Sequence, residues 1–300
     1  MLESCNSHNP YLEQIQIYIA RLPSLSITAA KVMEICNNPE ASPNDLNRVI
    51  SMDPVLTGQV LKLINSAYYS LHHPISSLTR AIVMLGVNTV KNLVLSFAIL
   101  EQMSTKRSFP VLSVEDFWTH SLCVGVTAKC LSVAKGVPLC DQEEFFVGGL
   151  LHDLGKIPLN HQFPEKYFQV LDMAKRTQRS LFHSEGLVFG IDHGAIGSMI
   201  AEKWQLSPAL IEALCFHHRP VEARESNHRL VFSVALADIF AQLLRMGSGD
   251  KTLANNSLCG YLLERLGVNW SFLYDLRDTV LSEINKAKIF LEIAEKREAR

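Results

Sequence analysis

The segment SPNDLNRVISMDPVLTGQVLKLINSA, residues 42–67, decides the fold class. It starts a helix twice. Ser42 offers a capping hydroxyl, Pro43 sits where the first helical N–H is unsatisfied anyway, and Asp45 places an acid in the first turn. Asp53-Pro54 repeats the pattern. After it, Leu56, Val60, Leu63, Ile64 and Ala67 share one helical face. The same grammar recurs downstream. Ser113 with Asp116 opens a long helix running to Gly136, and Pro138 keeps it from restarting. Asp141 with Glu144 caps the next helix, Ser207-Pro208 opens another, and Arg219-Pro220 closes it. No Asn-Gly or Asp-Gly pair joins two alternating strands. The expected class is all-α.

Composition narrows the functional classes. Lys and Arg number 28 against 30 Asp and Glu, a net charge of −2 over 300 residues. That lacks the basic footprint of a nucleic-acid or anionic-membrane binder. Charged residues are 19% of the chain, below the roughly 25% of an average soluble protein. A large core and a rather apolar surface follow, and disorder over most of the length is excluded. The seven cysteines, at 5, 36, 123, 130, 140, 215 and 259, are scattered and form no C-x-x-C, which argues against a zinc ribbon or a disulfide framework. The start, MLESCNSHNP, has no signal-peptide pattern, and the densest apolar run, Leu93 to Leu100, is far short of the roughly 20 residues of a membrane span. The expected setting is cytoplasmic.

The 11 histidines are unevenly placed. Residues 1–107 read as a helical subdomain with few of them. Residues 108–250 hold most of the His and Asp at helical positions, with KRSFPVLS (106–113) as the joint. Residues 251–300 read as a helical tail packing on the core, after a loop over 247–257. In the second part, His120 lies in a long helix, His152-Asp153 in FFVGGLLHDLGK, His193 in GIDHGAIG, His217-His218 at the end of a helix, and Asp238 in LVFSVALADIFAQLL. A single buried His is usually a hydrogen-bonded core residue. Asp238 is harder to explain that way, because an unpaired carboxylate on an apolar face costs several kcal/mol to bury. It must be neutralised by a partner or bound to a cation. Imidazole plus carboxylate suits iron, manganese, nickel or zinc.

The chain resembles the HDOD family, the HD-related output domain of bacterial signalling proteins. The matching strings are LPSLSITAAKVMEI (22–35), LNRVISMDPVLTGQVLKLINSAYYS (46–70) and PISSLTRAIVMLGVNTVKNLVLS (74–96), continuing through HDLGKIPL, GIDHGAIG and FHHRP. HDOD is similar to the HD superfamily of metal-dependent phosphohydrolases and to its HD-GYP branch, which cleaves cyclic di-GMP. The resemblance implies two packed helical subdomains, the second an HD-domain/phosphodiesterase-like bundle.

It also implies a ligand set. Many HDOD domains have lost the HD ligands, whereas here His120, His152, Asp153, His193, His217, His218 and Asp238 match them, and Lys156 matches the lysine of the HD-GYP string HD-x-G-K. Two divalent metal ions are expected. Asp116 stands where trinuclear members carry a Glu, and reads equally as a helix-capping acid. His183 and Glu185 are alternative ligands ranked below His193, and His72, His73 and His161 are assigned nothing. No Gly-Tyr-Pro follows His217-His218, so hydrolysis of cyclic di-GMP does not carry over. Two functions follow. One is a signalling module with a protein partner, its metals structural or vestigial. The other is a metal-dependent phosphohydrolase acting on a nucleotide or cyclic nucleotide phosphoester. In the second, Asp153 would bridge the metals around an activated water and Lys156 would stabilise charge on the phosphoryl oxygens. No nucleic-acid or membrane partner is expected.

Overall fold

The computed structural model describes residues 9–36, 38, 42–103, 110–247 and 256–298, and every regular element among them is helical. The first group is α1 (Pro10–Arg21), α2 (Ile27–Cys36), α3 (Pro43–Ser51), α4 (Pro54–Ile64), α5 (Leu78–Leu85) and α6 (Val87–Met103). The second is α7 (Val114–Ala134), α8 (Leu139–Leu151), α9 (Lys156–Gln162), α10 (Pro164–Thr177), α11 (Leu181–Phe189), α12 (His193–Lys203), α13 (Pro208–Phe216) and α14 (His228–Leu243). Two 3-10 turns, Pro220–Glu222 and Glu225–Asn227, link the last pair. The chain closes with α15 (Asn256–Leu266), α16 (Trp270–Ala287) and α17 (Ile289–Glu298). Residues 106–109 of the expected joint and 248–255 of the expected loop lie outside the described residues.

Most of the expected helix starts are realised by the expected atoms. Ser42 and Asp45 form a reciprocal capping box, the Asp53 carboxylate accepts from the Leu56 N–H at 2.9 Å, and Ser113 Oγ accepts from the Asp116 N–H. The expected Asp141–Glu144 cap does not form. That helix begins at Leu139 behind Pro138, so both acids fall inside it and turn elsewhere: Asp141 accepts from Asn88, and Glu144 accepts from the Ser207 hydroxyl at 2.6 Å. Arg219-Pro220 does not close α13 either, because the helix already stops at Phe216.

Two close approaches hold the second group of helices together. A Cβ on Gly149 would come within 2.6 Å of the Gly125 backbone, so the absence of side chains lets α7 and α8 cross in contact. A Cβ on Gly155 would come within 1.9 Å of the His193 carbonyl oxygen. Glycine there lets the start of α12 touch the turn between α8 and α9. Around this pair, α14 packs on α7, α8 and α13, and α12 packs on α13. The first group of helices joins through α6 on α8, and α1 on α9 and α12. Lys203 fastens α1 by donating to the carbonyls of Ile19 and Ala20 near the helix end, at 2.7 and 2.8 Å. The tail returns to the body, α16 against α7 and α17 against α6 and α4. Apolar residues from Ile15 to Ile293 form one continuous core.

A buried polar knot pins the turn after α4 to this body. Lys129 of α7 pairs with Glu143 of α8 and donates to the Tyr68 hydroxyl at 3.0 Å, and Tyr69 donates to Glu143 at 2.8 Å. Among the described residues no single helix is long and apolar enough to cross a membrane, and α5 with α6 reaches that length only with a 116° bend between them.

Candidate metal centre

Five elements deliver side chains to one buried point. His120 comes from the middle of α7 and Asp238 from the middle of α14. His152 and Asp153 stand just beyond the last residue of α8, and His217 and His218 just beyond α13. His193 is the first residue of α12, seated by the Asp192 cap and by the contact at Gly155. All are buried except His218, which is half-buried.

The ring orientations follow from what holds each Nδ1. His152 Nδ1–H donates to the Gly149 carbonyl at 2.7 Å, His217 to Leu214 at 2.9 Å, and His120 to Met246 at 3.3 Å. His193 differs: both its Nδ1–H, at 2.6 Å, and its backbone N–H, at 2.8 Å, donate to Glu185. Glu185 is 0% exposed and takes a third bond from the Tyr167 hydroxyl at 3.2 Å. These bonds leave the Nε2 atoms facing inward.

The inward atoms form two groups that share Asp153. His193 Nε2 lies 3.2 Å from His217 Nε2 and 3.1 Å from His218 Nε2, and Asp153 Oδ1 is 3.2 Å from His193 Nε2. On the other side, Asp153 Oδ2 lies 3.4 Å from His152 Nε2 and 3.8 Å from His120 Nε2. Asp238 Oδ1 is 3.0 Å from His120 Nε2 and 3.8 Å from His152 Nε2. Lys156 Nζ reaches Asp153 Oδ2 at 2.6 Å. Asp238 finds its neutral partner in Gln242, whose amide donates to both oxygens.

The electrostatics favour a cation here. Three buried carboxylates, Asp153, Asp238 and Glu185, face one buried ammonium, Lys156. Burial works against the charged form of Asp153, but His152 and Lys156 prevail and hold its pKa well below the usual range. Asp238 is likewise held low, by His120 and His152 against burial. Burial pushes His152 and His217 below the ordinary imidazole value and His218 down to about 3, aided by neighbouring histidines. His193 moves the other way, up, where Glu185 outweighs burial. Neutral imidazoles beside ionised carboxylates are the protonation states that bind metal. Asp153 Oδ1 and His152 Nε2 are moreover buried with no hydrogen-bond partner, a cost that a coordinated ion removes. The donor set fits a divalent metal: His193, His217 and His218 make one group that could hold an ion, and His120, His152 and Asp153 a second.

The remaining sequence expectations separate cleanly. Asp116 is exposed in the first turn of α7, and His183 is exposed with its Nε2 beside Arg179. Glu185 sits behind His193 and grips it from the far side. The sequence reading missed this positioning role, although a carboxylate in the apolar string LFHSEGLVF was its signal. It also missed Gln242 as the partner of Asp238, one helical turn on.

The family model for the HDOD domain matches residues 22–220. Among solved structures, an HDOD domain protein of unknown function from Geobacter sulfurreducens is 25% identical, with a TM-score of 0.72 and coverage of 93% of this chain and 97% of that one. A Marinobacter aquaeolei VT8 protein, provisionally named for signal transduction, is 19% identical with a TM-score of 0.72, over 95% of this chain and 66% of that one. An uncharacterised Treponema pallidum (strain Nichols) protein is 24% identical over 229 residues, 74% of this chain. The chain spans 42% of the length of that relative. With two thirds of its length inside the family model, the chain belongs to the HDOD family.

Proposed function

We propose that this HDOD protein is a bacterial signalling module built around a two-metal centre. The observation that carries the reading is the Asp153 carboxylate, with one oxygen toward His193 and the other toward His152 and His120. His193, His217, His218 and Asp153 would hold one ion, and His120, His152, Asp153 and Asp238 the other. Iron, manganese, nickel and zinc suit these ligands. The family membership and the resemblance to bacterial output domains support the signalling role, which requires a protein partner to supply or receive the signal.

A second reading, phosphoester hydrolysis, is favoured by Lys156. Its ammonium is buried against Asp153 at 2.6 Å, and Asp153 holds it in the charged form against burial. A fixed cation beside the ion positions is suited to stabilising phosphoryl oxygens. Ions held there would supply Lewis acidity and acidify water. The chain's own contribution is to fix the Nε2 atoms through the Nδ1 bonds, to hold Lys156 protonated, and to limit solvent entry to the His218 edge.

One experiment separates the readings. Chelator-treated protein is titrated with Mn²⁺ or Zn²⁺ and followed by thermal unfolding and by turnover on a phosphomonoester and phosphodiester panel. The module reading expects a higher Tm with no turnover, since a ligand bound only to the folded state stabilises it. Metal-dependent turnover that disappears in His152→Ala would instead establish the hydrolase. No rise in Tm with any of these ions would overturn both.

A further inference from the structure

The centre meets solvent beside His218, and the residues at that edge are not ligands. The Phe182 ring lies 4.9 Å from the His218 ring and 6.4 Å from that of His193. On Phe182 rests the Arg219 guanidinium, 5.1 Å from the ring centroid. Arg219 follows directly on His218, so the backbone that presents the last imidazole also presents this cation.

Arg219 is held in place without being hydrogen-bonded. Its nearest carboxylates, Asp192 and Glu222, lie at 3.6 and 3.8 Å, both beyond hydrogen-bond reach. Its Nε is buried with no partner, while the side chain as a whole is 37% exposed. Asp192 is already engaged, accepting from the Ala195 N–H as the cap of α12. A guanidinium offers five N–H donors in a planar fork that matches a phosphate bidentately. Here that fork is oriented by an aromatic face and by ion pairs with two flanking acids, neither of which accepts a hydrogen bond from it. The pairing of a stacked, unsatisfied arginine with the open edge of a metal centre is what distinguishes this surface from an ordinary exposed arginine.

We propose that Arg219, positioned by Phe182, is an anion-binding group for a second phosphate, so that the centre takes nucleotides carrying two phosphates in preference to monophosphates. The proposal rests on the two-metal reading for the first phosphate, and names the ligand class of that same site. One phosphate would be received among Lys156 and the ions, the other at Arg219. Phe182 is covered by His218 and Arg219, so it serves as a platform for the guanidinium and not as a stacking surface for a base.

The test uses the full chain, loaded with Mn²⁺, freed of excess metal and titrated calorimetrically with AMP, ADP and the 5′-phosphorylated dinucleotide pApA. Wild type should bind ADP or pApA about tenfold or more tightly than AMP. Arg219→Gln should reduce that preference to about twofold or less with Mn²⁺ content unchanged, and Arg219→Lys, which keeps the charge but loses the fork, should fall between. Phe182→Leu should weaken the preference with AMP affinity retained. Equal affinity of wild type for all three nucleotides overturns the proposal, as does an undiminished preference in Arg219→Gln. A wild-type chain that takes up no Mn²⁺ overturns the two-metal reading alone, and the nucleotide preference measured on that protein still decides the role of Arg219.

Discussion

Glu185 directs its carboxylate at a single histidine, accepting from both the ring and the backbone of His193. The rings of His120, His152 and His217 lean on backbone carbonyls, so the His193 side of the centre feels an additional negative charge. Removing that charge without changing shape isolates its effect. Glu185→Gln should fold normally and lose about 10–100-fold in metal affinity, measured by competition with a chromophoric chelator. Unchanged affinity would mean that Glu185 only fills space. The histidines also set an acid response for the metal-free protein. His152, His217 and His218 are held below the unfolded imidazole value near 6.5, and His193 above it. The unfolded chain therefore binds more protons than the native one as pH falls through 6.5. Each depressed group removes stability below that pH, and the one raised group adds it. With three against one, metal-free protein should lose stability from pH 7 to pH 5, by up to about 1.4 kcal/mol per pH unit for each net proton. A Tm that stays level or rises over that interval would contradict the neutral state of these rings.

At the scale of the helix, local chemistry was readable and distant partnership was not. Ser42, Asp53 and Ser113 announce helices because a cap is satisfied within three residues of itself. Asp141 and Glu144 resemble a cap in sequence, yet their partners are Asn88 and Ser207, far away in the chain. The crossing of α7 and α8 depends on Gly125 and Gly149 together, a relation that neither glycine reveals alone. Gly149→Ala should force the crossing apart and destabilise the protein by about 1–3 kcal/mol, visible as a lower Tm. No change in Tm would show that the helices have room to spare. The knot around Lys129 is the polar counterpart of this crossing. Glu143→Ala would strip Lys129, Tyr68 and Tyr69 of their shared acceptor. The expected loss is about 2–3 kcal/mol in denaturant unfolding, less than for a fully buried pair because Lys129 keeps some solvent contact. An unchanged midpoint would mean that water replaces Glu143 at no cost.

For the molecule as a whole, the all-helical class, the family and the set of converging residues were legible because periodicity, capping and motif spacing are properties of the chain itself. The layout of the centre was not. Which oxygen of Asp153 faces which histidines, and that Glu185 stands behind His193 while Asp116 and His183 stay on the surface, depend on how separate helices meet. That meeting also buries Asp153, Lys156, Glu185 and Asp238 together beside the histidines. The account turns on one claim, that the two groups around Asp153 hold two ions. Elemental analysis of protein purified without chelator tests it directly. The account predicts two divalent metal ions per chain in the wild type, and loss of both when His152 and Asp153 are replaced together by alanine. A well-folded wild-type protein that carries no metal, or that keeps its metal in the double variant, would contradict it.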